Sequence, residues 1–201
     1  MLTKLPNILT VSRICAIPVL VALFFFDGDA YRWSALGLYI FACLTDFFDG
    51  YLARTRKETS AFGRFLDPVA DKLLVSSVLL MLAGFEYIGG LTLLPTVVIL
   101  CREILVSGLR EFLAEINVSV PVTTLAKWKT TIQMFALGFL IVGSASPDWI
   151  PSHAIGVVGL WAAALLTLVT GYDYWRAGIK HLRAEDETAT RAADQTRTAA
   201  E

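Results

Sequence analysis

A chain of 201 residues has the length of one domain, and hydrophobic residues make up 56% of it, more than a soluble domain usually carries. Its formal charge of −1 supplies no field to gather a polyanion, so composition argues against nucleic acid as a partner. Cys15, Cys43 and Cys101 all stand in apolar runs, which offers neither a disulfide frame nor a zinc spacing and reads as small core residues.

In chain order, six apolar segments follow, at 9–26, 33–51, 67–85, 91–113, 123–143 and 153–175. Each has the length of a helix across a bilayer, which takes about 20 residues. The fifth and sixth contain long charge-free runs, 130–147 and 149–172. In the first three the charge-free parts, 14–26, 33–45 and 73–85, are too short to span unaided. Each of these must draw a charged end into the membrane or stop short.

The first segment opens with LPNILTVSRI, which puts Asn7 and Thr10 beside each other on a helical face with Arg13 next. Asn7 would also serve as a helix cap. A cleaved signal peptide fits poorly, because five further segments follow and FFFDGDAYRW is a weak cleavage site.

The second segment ends in TDFFDGYLAR, where Asp46, Gly50 and Arg54 form one helical stripe with Asp49 and Ala53 beside it. The third begins with GRFLDPVADK, where Gly63, Asp67 and Asp71 form another. The polar TRKETSAF between them can turn, making these two helices antiparallel neighbours and bringing four carboxylates to one depth. Gly50, Ala53 and Gly63 leave room there for a close backbone or a ligand.

A carboxylate at the middle of a bilayer costs about 2.5–3.5 kcal/mol on insertion scales. Four would cost about 10 kcal/mol, on the order of a whole domain's stability, and they also repel one another. Divalent cations would resolve both problems, and an all-oxygen donor set favours magnesium or manganese. Plainer readings compete: Asp67 before Pro68 is a common helix start, Asp46 could pair with Arg54, and Asp71 with Lys72 or Arg64.

In the fourth segment, CREILVSGLREF sets Arg102, Val106 and Arg110 on one stripe. Arg102 lies deep enough either to bind phosphate or to pair with a carboxylate of the second or third helix. In the fifth, Lys127 and Lys129 flank Trp128, the usual pattern of an interfacial anchor. After the sixth, residues 184–201 mix charges with small residues and read as a disordered tail, leaving 1–183 as one membrane domain.

With a cytoplasmic N-terminus, the outer loops fall near 27–32, 86–90 and 143–152, and Arg32 is their only basic residue. Arg54, Arg56, Lys57, Arg64, Arg110, Lys127, Lys129, Arg176, Lys180 and Arg183 then lie inside, together with both aspartate pairs and the C-terminus.

From Asp46 to Asp71 the chain reads D-x2-D-G-x2-A-R-x8-G-x3-D-x3-D with every constant position filled. This resembles the motif of the CDP-alcohol phosphotransferases. Outside it, PNILTVSRI, LDPVADKLL, REILVSGLREFLAE and KWKTTIQM resemble the bacterial branch that uses glycerol 3-phosphate, over roughly 5–175. The resemblance implies an all-α, six-helix enzyme of the bacterial inner membrane, usually a homodimer, with a polar cavity open to the cytoplasm. It would transfer a phosphatidyl group from CDP-diacylglycerol to glycerol 3-phosphate and release CMP. It implies two divalent cations, Mg²⁺ or Mn²⁺, on Asp46, Asp49, Asp67 and Asp71, with Asp71 as general base. Asn7, Thr10, Asp46, Gly50, Ala53, Arg54, Ser60 and Gly63 would line the CDP-diacylglycerol side. Arg102, Arg110, Lys127 and Lys129 would hold the acceptor phosphate through charge-assisted hydrogen bonds.

Other readings stay open. A sister transferase would take inositol phosphate or serine instead, although basic residues suit a phosphate better than serine. An intramembrane prenyltransferase would show an asparagine and a further aspartate where Thr45 and Ala53 stand. A cation-coupled transporter would carry polar residues on through the outer halves, yet 33–45 and 73–85 hold no charge.

Overall fold

Glycines and loop residues in unusual conformations mark where the apolar runs are broken into helices. Gly28 sits at φ +120°, and Glu86, Gly90 and Gly143 also lie in the left-handed region. The computed structural model describes residues 5–56, 61–115 and 124–198. All of its regular structure there is helical: α1 Leu5–Leu23, α2 Asp29–Arg56, α3 Ala61–Gly84, α4 Leu93–Glu115, α5 Thr124–Val142 and α6 Ser152–Thr198. Short 3₁₀ turns at Gly90–Thr92 and Gly143–Ala145 precede α4 and follow α5.

These bounds decide two of the plainer readings. Helix α3 starts at Ala61, so Asp67 stands inside it and does not cap it. Asn7 lies in the first turn of α1, already within the helix. At the other end of the chain, α6 continues over 184–198, where composition alone suggests disorder. Alanine, glutamate and arginine are good helix formers.

Helices two and three are not the close neighbours that their short connection suggests. Helix α1 packs along both α2 and α3, which among the described residues share few contacts with each other. The physical reason lies in the charges. Two acidic helix ends repel when side by side, whereas α1 buries a stripe of Asn7, Thr10 and Arg13 that supplies donors to both. The same stripe continues as Ile17, Leu20 and Phe24, so its second half joins the apolar core with Leu79, Leu137 and Leu160.

The loops expected on the outer side converge at one end. Arg32 lies 4.2 Å from the centre of the Tyr87 ring and donates to the Val142 carbonyl at 3.3 Å. His153 reaches the Tyr87 carbonyl at 3.0 Å. Large apolar side chains also cover much of the surface, Phe47, Phe65, Leu80 and Phe135 among them. A soluble domain would bury such patches. Cys15 and Cys101 face outward on this surface, and only Cys43 is partly buried, which corrects their reading as core residues. By length and composition, the spans Gly90–Ala114, Thr124–Ala145 and Ser152–Tyr172 can each cross a bilayer.

Helices α5 and α6 share the most extensive contact, and glycine permits it. A Cβ on Gly159 would stand 2.9 Å from the Ala136 Cβ, and one on Gly156 would stand 2.6 Å from Leu140 Cγ. Small residues let membrane helices approach this closely. Gly159→Val is therefore expected to destabilise the fold by roughly 1–3 kcal/mol, because Ala136 has no flexible end to move aside. A thermal midpoint in detergent equal to that of the unmodified chain would contradict this packing.

Candidate active site

The wedge position of α1 assembles the acidic centre. Arg13 is completely buried, with Nη1 standing 2.7 Å from Asp46 Oδ1 and Nη2 donating to Asp49 Oδ2. One turn earlier, Thr10 Oγ1 donates to Asp67 Oδ1 at 2.6 Å. Asp49 lies within electrostatic range of Asp46 and Asp67, and Asp71 within range of Asp46. Asp46, Asp49 and Asp67 are thus held by side chains of α1, and Asp46 pairs with Arg13 from another helix.

Asp46 and Asp71 open into a cavity of about 180 Å³ between α2, α3, α4 and α5. Lys72, Arg102, Arg110 and Lys129 line it as well, with Glu103 and Gln133. Lys129 is buried and donates to Glu103 Oε1. Arg102 donates to Thr170 Oγ1 at 3.0 Å and stands 3.8 Å from Glu103. Its stem lies close against Gly171, where a Cβ would approach Arg102 Cγ to 3.2 Å. Helix α6 thereby props Arg102 from behind.

The Lys-Trp-Lys motif divides. Lys129 turns into the cavity, whereas Lys127 and Trp128 are exposed and do not line it. A helix advances about 100° per residue, so positions two apart cannot share a face. Gln133, one turn beyond Lys129, does share its face.

The remaining candidates are placed as follows. Asn7 is buried beside Thr10 on α1, and Gly63 is buried on α3. Gly50, Ala53 and Arg54 continue α2 with side chains outside the described set, and Ser60 lies outside the described residues. Arg13, Glu103, Gln133 and Lys72 were not singled out as site residues from the sequence. Arg13 carried a signal, since it follows Asn7 and Thr10 at helical spacing in an apolar run. Glu103 carried one too, as an acid amid apolar residues that requires a partner.

Four carboxylates, all hard oxygen donors, suit a divalent cation such as magnesium or manganese. Among the described residues no group of three or more acidic, imidazole or thiol side chains is drawn together tightly enough to chelate one. Arg13 instead neutralises Asp46 and Asp49, engaging one oxygen of each. The donor chemistry fits a cation, with the guanidinium as the charge already beside it.

The family model for CDP-alcohol phosphatidyltransferase matches residues 3–169. The chain belongs to that family. CDP-alcohol phosphatidyltransferases generally use divalent cations. Among similar proteins, the CDP-diacylglycerol–glycerol-3-phosphate 3-phosphatidyltransferase of Rickettsia bellii is 49% identical over 178 residues, covering 89% of this chain and 97% of the relative. The one from Rickettsia prowazekii is 49% identical over 174 residues, with 87% and 94% covered. The one from Cereibacter sphaeroides is 38% identical over 217 residues, with 90% and 98% covered. Membership in this phosphatidyltransferase family sets aside the prenyltransferase and transporter readings, and the chain is a bacterial membrane protein.

Proposed function

We propose that this chain transfers a phosphatidyl group from CDP-diacylglycerol to glycerol 3-phosphate, giving phosphatidylglycerophosphate and CMP. One observation carries the reading beyond the relatives' own activity. Asp46 and Asp71 line the same cavity as Lys72, Arg102, Arg110 and Lys129, which supports a proton acceptor and a phosphate receptor within reach of one ligand.

In this reading all six helices cross the membrane, both termini are cytoplasmic, and the cavity opens to that side. The membrane domain comprises 1–183 and works as a homodimer. Asp46, Asp49, Asp67 and Asp71 would hold two divalent cations, Mg²⁺ or Mn²⁺, whose chemistry is to neutralise the diphosphate and the departing CMP. Thr10 and Arg13 orient three of those carboxylates through the contacts described. Asn7, Gly50, Ala53, Arg54, Ser60 and Gly63 line the nucleotide side.

Asp71 accepts the proton from the acceptor's primary hydroxyl as its oxygen bonds to the β-phosphorus. The bond from that phosphorus to the oxygen of the cytidylate breaks, and its electron pair leaves with CMP. Lys72, Arg110 and Lys129 hold the acceptor phosphate, with Arg102 behind them. Lys127, exposed on another face of α5, takes no part in that grip. The buried core above, around Leu79 and Leu82, keeps water out of the far half.

The test is CMP release by the purified chain in mixed micelles with CDP-diacylglycerol, magnesium and one acceptor at a time. Release with glycerol 3-phosphate is expected; release only with inositol phosphate or serine would transfer the chain to a sister reaction. Arg110→Ala is expected to raise the KM for glycerol 3-phosphate roughly 10-fold, the loss of one charge-assisted hydrogen bond. A selective rise in the KM for CDP-diacylglycerol would instead assign Arg110 to the donor.

A further inference from the structure

Among the cavity's polar side chains, Gln133 is used neither for phosphate binding nor for proton transfer. Gln133 is 3% exposed and lines the cavity, one turn along α5 from Lys129. Its Oε1 has no hydrogen-bond partner among the described residues. A buried carbonyl left without a donor is unfavourable, and native proteins leave few of them. Lys129, the cation one turn away on α5, already donates to Glu103. A phosphate dianion offers no proton to a carbonyl, so the cavity's cations and Gln133 demand different parts of one ligand.

The acceptor has such a part. Glycerol 3-phosphate carries a phosphate, a reacting primary hydroxyl and a secondary hydroxyl between them. Asp71 takes the reacting hydroxyl and the cationic wall takes the phosphate, which leaves the secondary hydroxyl in the space between α3 and α5. Gln133 lines that same space. We propose that Gln133 accepts a hydrogen bond from the acceptor's secondary hydroxyl and sets the preference for a phosphorylated polyol over a phosphorylated simple alcohol. This inference rests on the reaction proposed above. A site built to pair with a hydroxyl rejects an analogue that lacks it, because its own polar group then stays unpaired.

The experiment compares glycerol 3-phosphate with 3-hydroxypropyl phosphate, which differs only by the missing secondary hydroxyl. CMP release by the full chain, with CDP-diacylglycerol and magnesium, yields kcat/KM for each. The unmodified chain is expected to favour glycerol 3-phosphate by roughly 10- to 100-fold. Gln133→Met keeps the volume and removes the acceptor; it should reduce that preference below about threefold by losing rate with glycerol 3-phosphate alone. Gln133→Asn retains the amide but withdraws it by one methylene, and should retain an intermediate preference.

Equal losses with both acceptors would make Gln133 a phosphate or packing residue and overturn the proposal. Absence of preference in the unmodified chain would overturn it without any variant, should Gln133→Met fail to fold. No CMP release from the unmodified chain with glycerol 3-phosphate, but release with another acceptor, would instead overturn the reaction on which the inference stands.

Discussion

Asp71→Asn is expected to lower kcat for CMP release by roughly 10²–10⁴-fold, the usual contribution of a positioned general base. Asparagine matches aspartate in size and can still accept a hydrogen bond, but it cannot take the hydroxyl's proton. Asp71 lies on the wall that it shares with Lys72, Arg110 and Lys129, so the acceptor's phosphate retains its cationic partners in the variant. Acceptor KM should therefore stay within about threefold, with the loss concentrated in the chemical step. Binding of CDP-diacylglycerol, measured separately by calorimetry, should also change little, because Asp46, Asp49 and Asp67 remain. A variant with full turnover would remove Asp71 as the base.

Arg13→Met should produce the largest loss of stability. The guanidinium is wholly buried and pairs with two carboxylates on α2, one of them also buried. Removing one partner of a buried ion pair costs about 3–5 kcal/mol, because the charge left behind has lost both water and counter-charge. Methionine retains the stem's packing and isolates the electrostatic part of the effect. The thermal midpoint in detergent is expected to fall by roughly 10 °C with chelator present. Excess magnesium should recover a substantial part of the loss, because a cation on Asp46 and Asp49 replaces the missing charge. Arg13→Lys should fall short of the unmodified chain, since an ammonium lacks the planar fork that serves two carboxylates at once. Identical midpoints for the unmodified chain and Arg13→Met would exclude the clamp.

Both predictions depend on a centre whose parts were unequally legible. The aspartates could be found in the sequence because charge inside apolar runs is expensive and helical spacing assigns them to faces. The Arg102–Arg110 stripe was legible in the same way, whereas Lys129 stood with Lys127 in a motif that reads as an interfacial anchor. Arg13 was visible on its stripe, yet nothing local says which helix that stripe meets. Glu103 and Gln133 were harder still, the one next to Arg102 with nothing local to name its partner, the other in a charge-free run.

The amino-acid sequence by itself determined that the chain is helical and membrane-bound, and that its acids gather at the ends of the second and third helices. Those properties follow from composition and from the 3.6-residue period, which are local. Only the tertiary structure decided that α1 stands between α2 and α3, that Arg13 clamps Asp46 and Asp49, and that Lys129 turns inward while Lys127 stays exposed. Period assigns a residue to a face of its own helix. The partner of that face depends on how all six surfaces pack at once, and on which arrangement leaves no buried charge without a counter-charge.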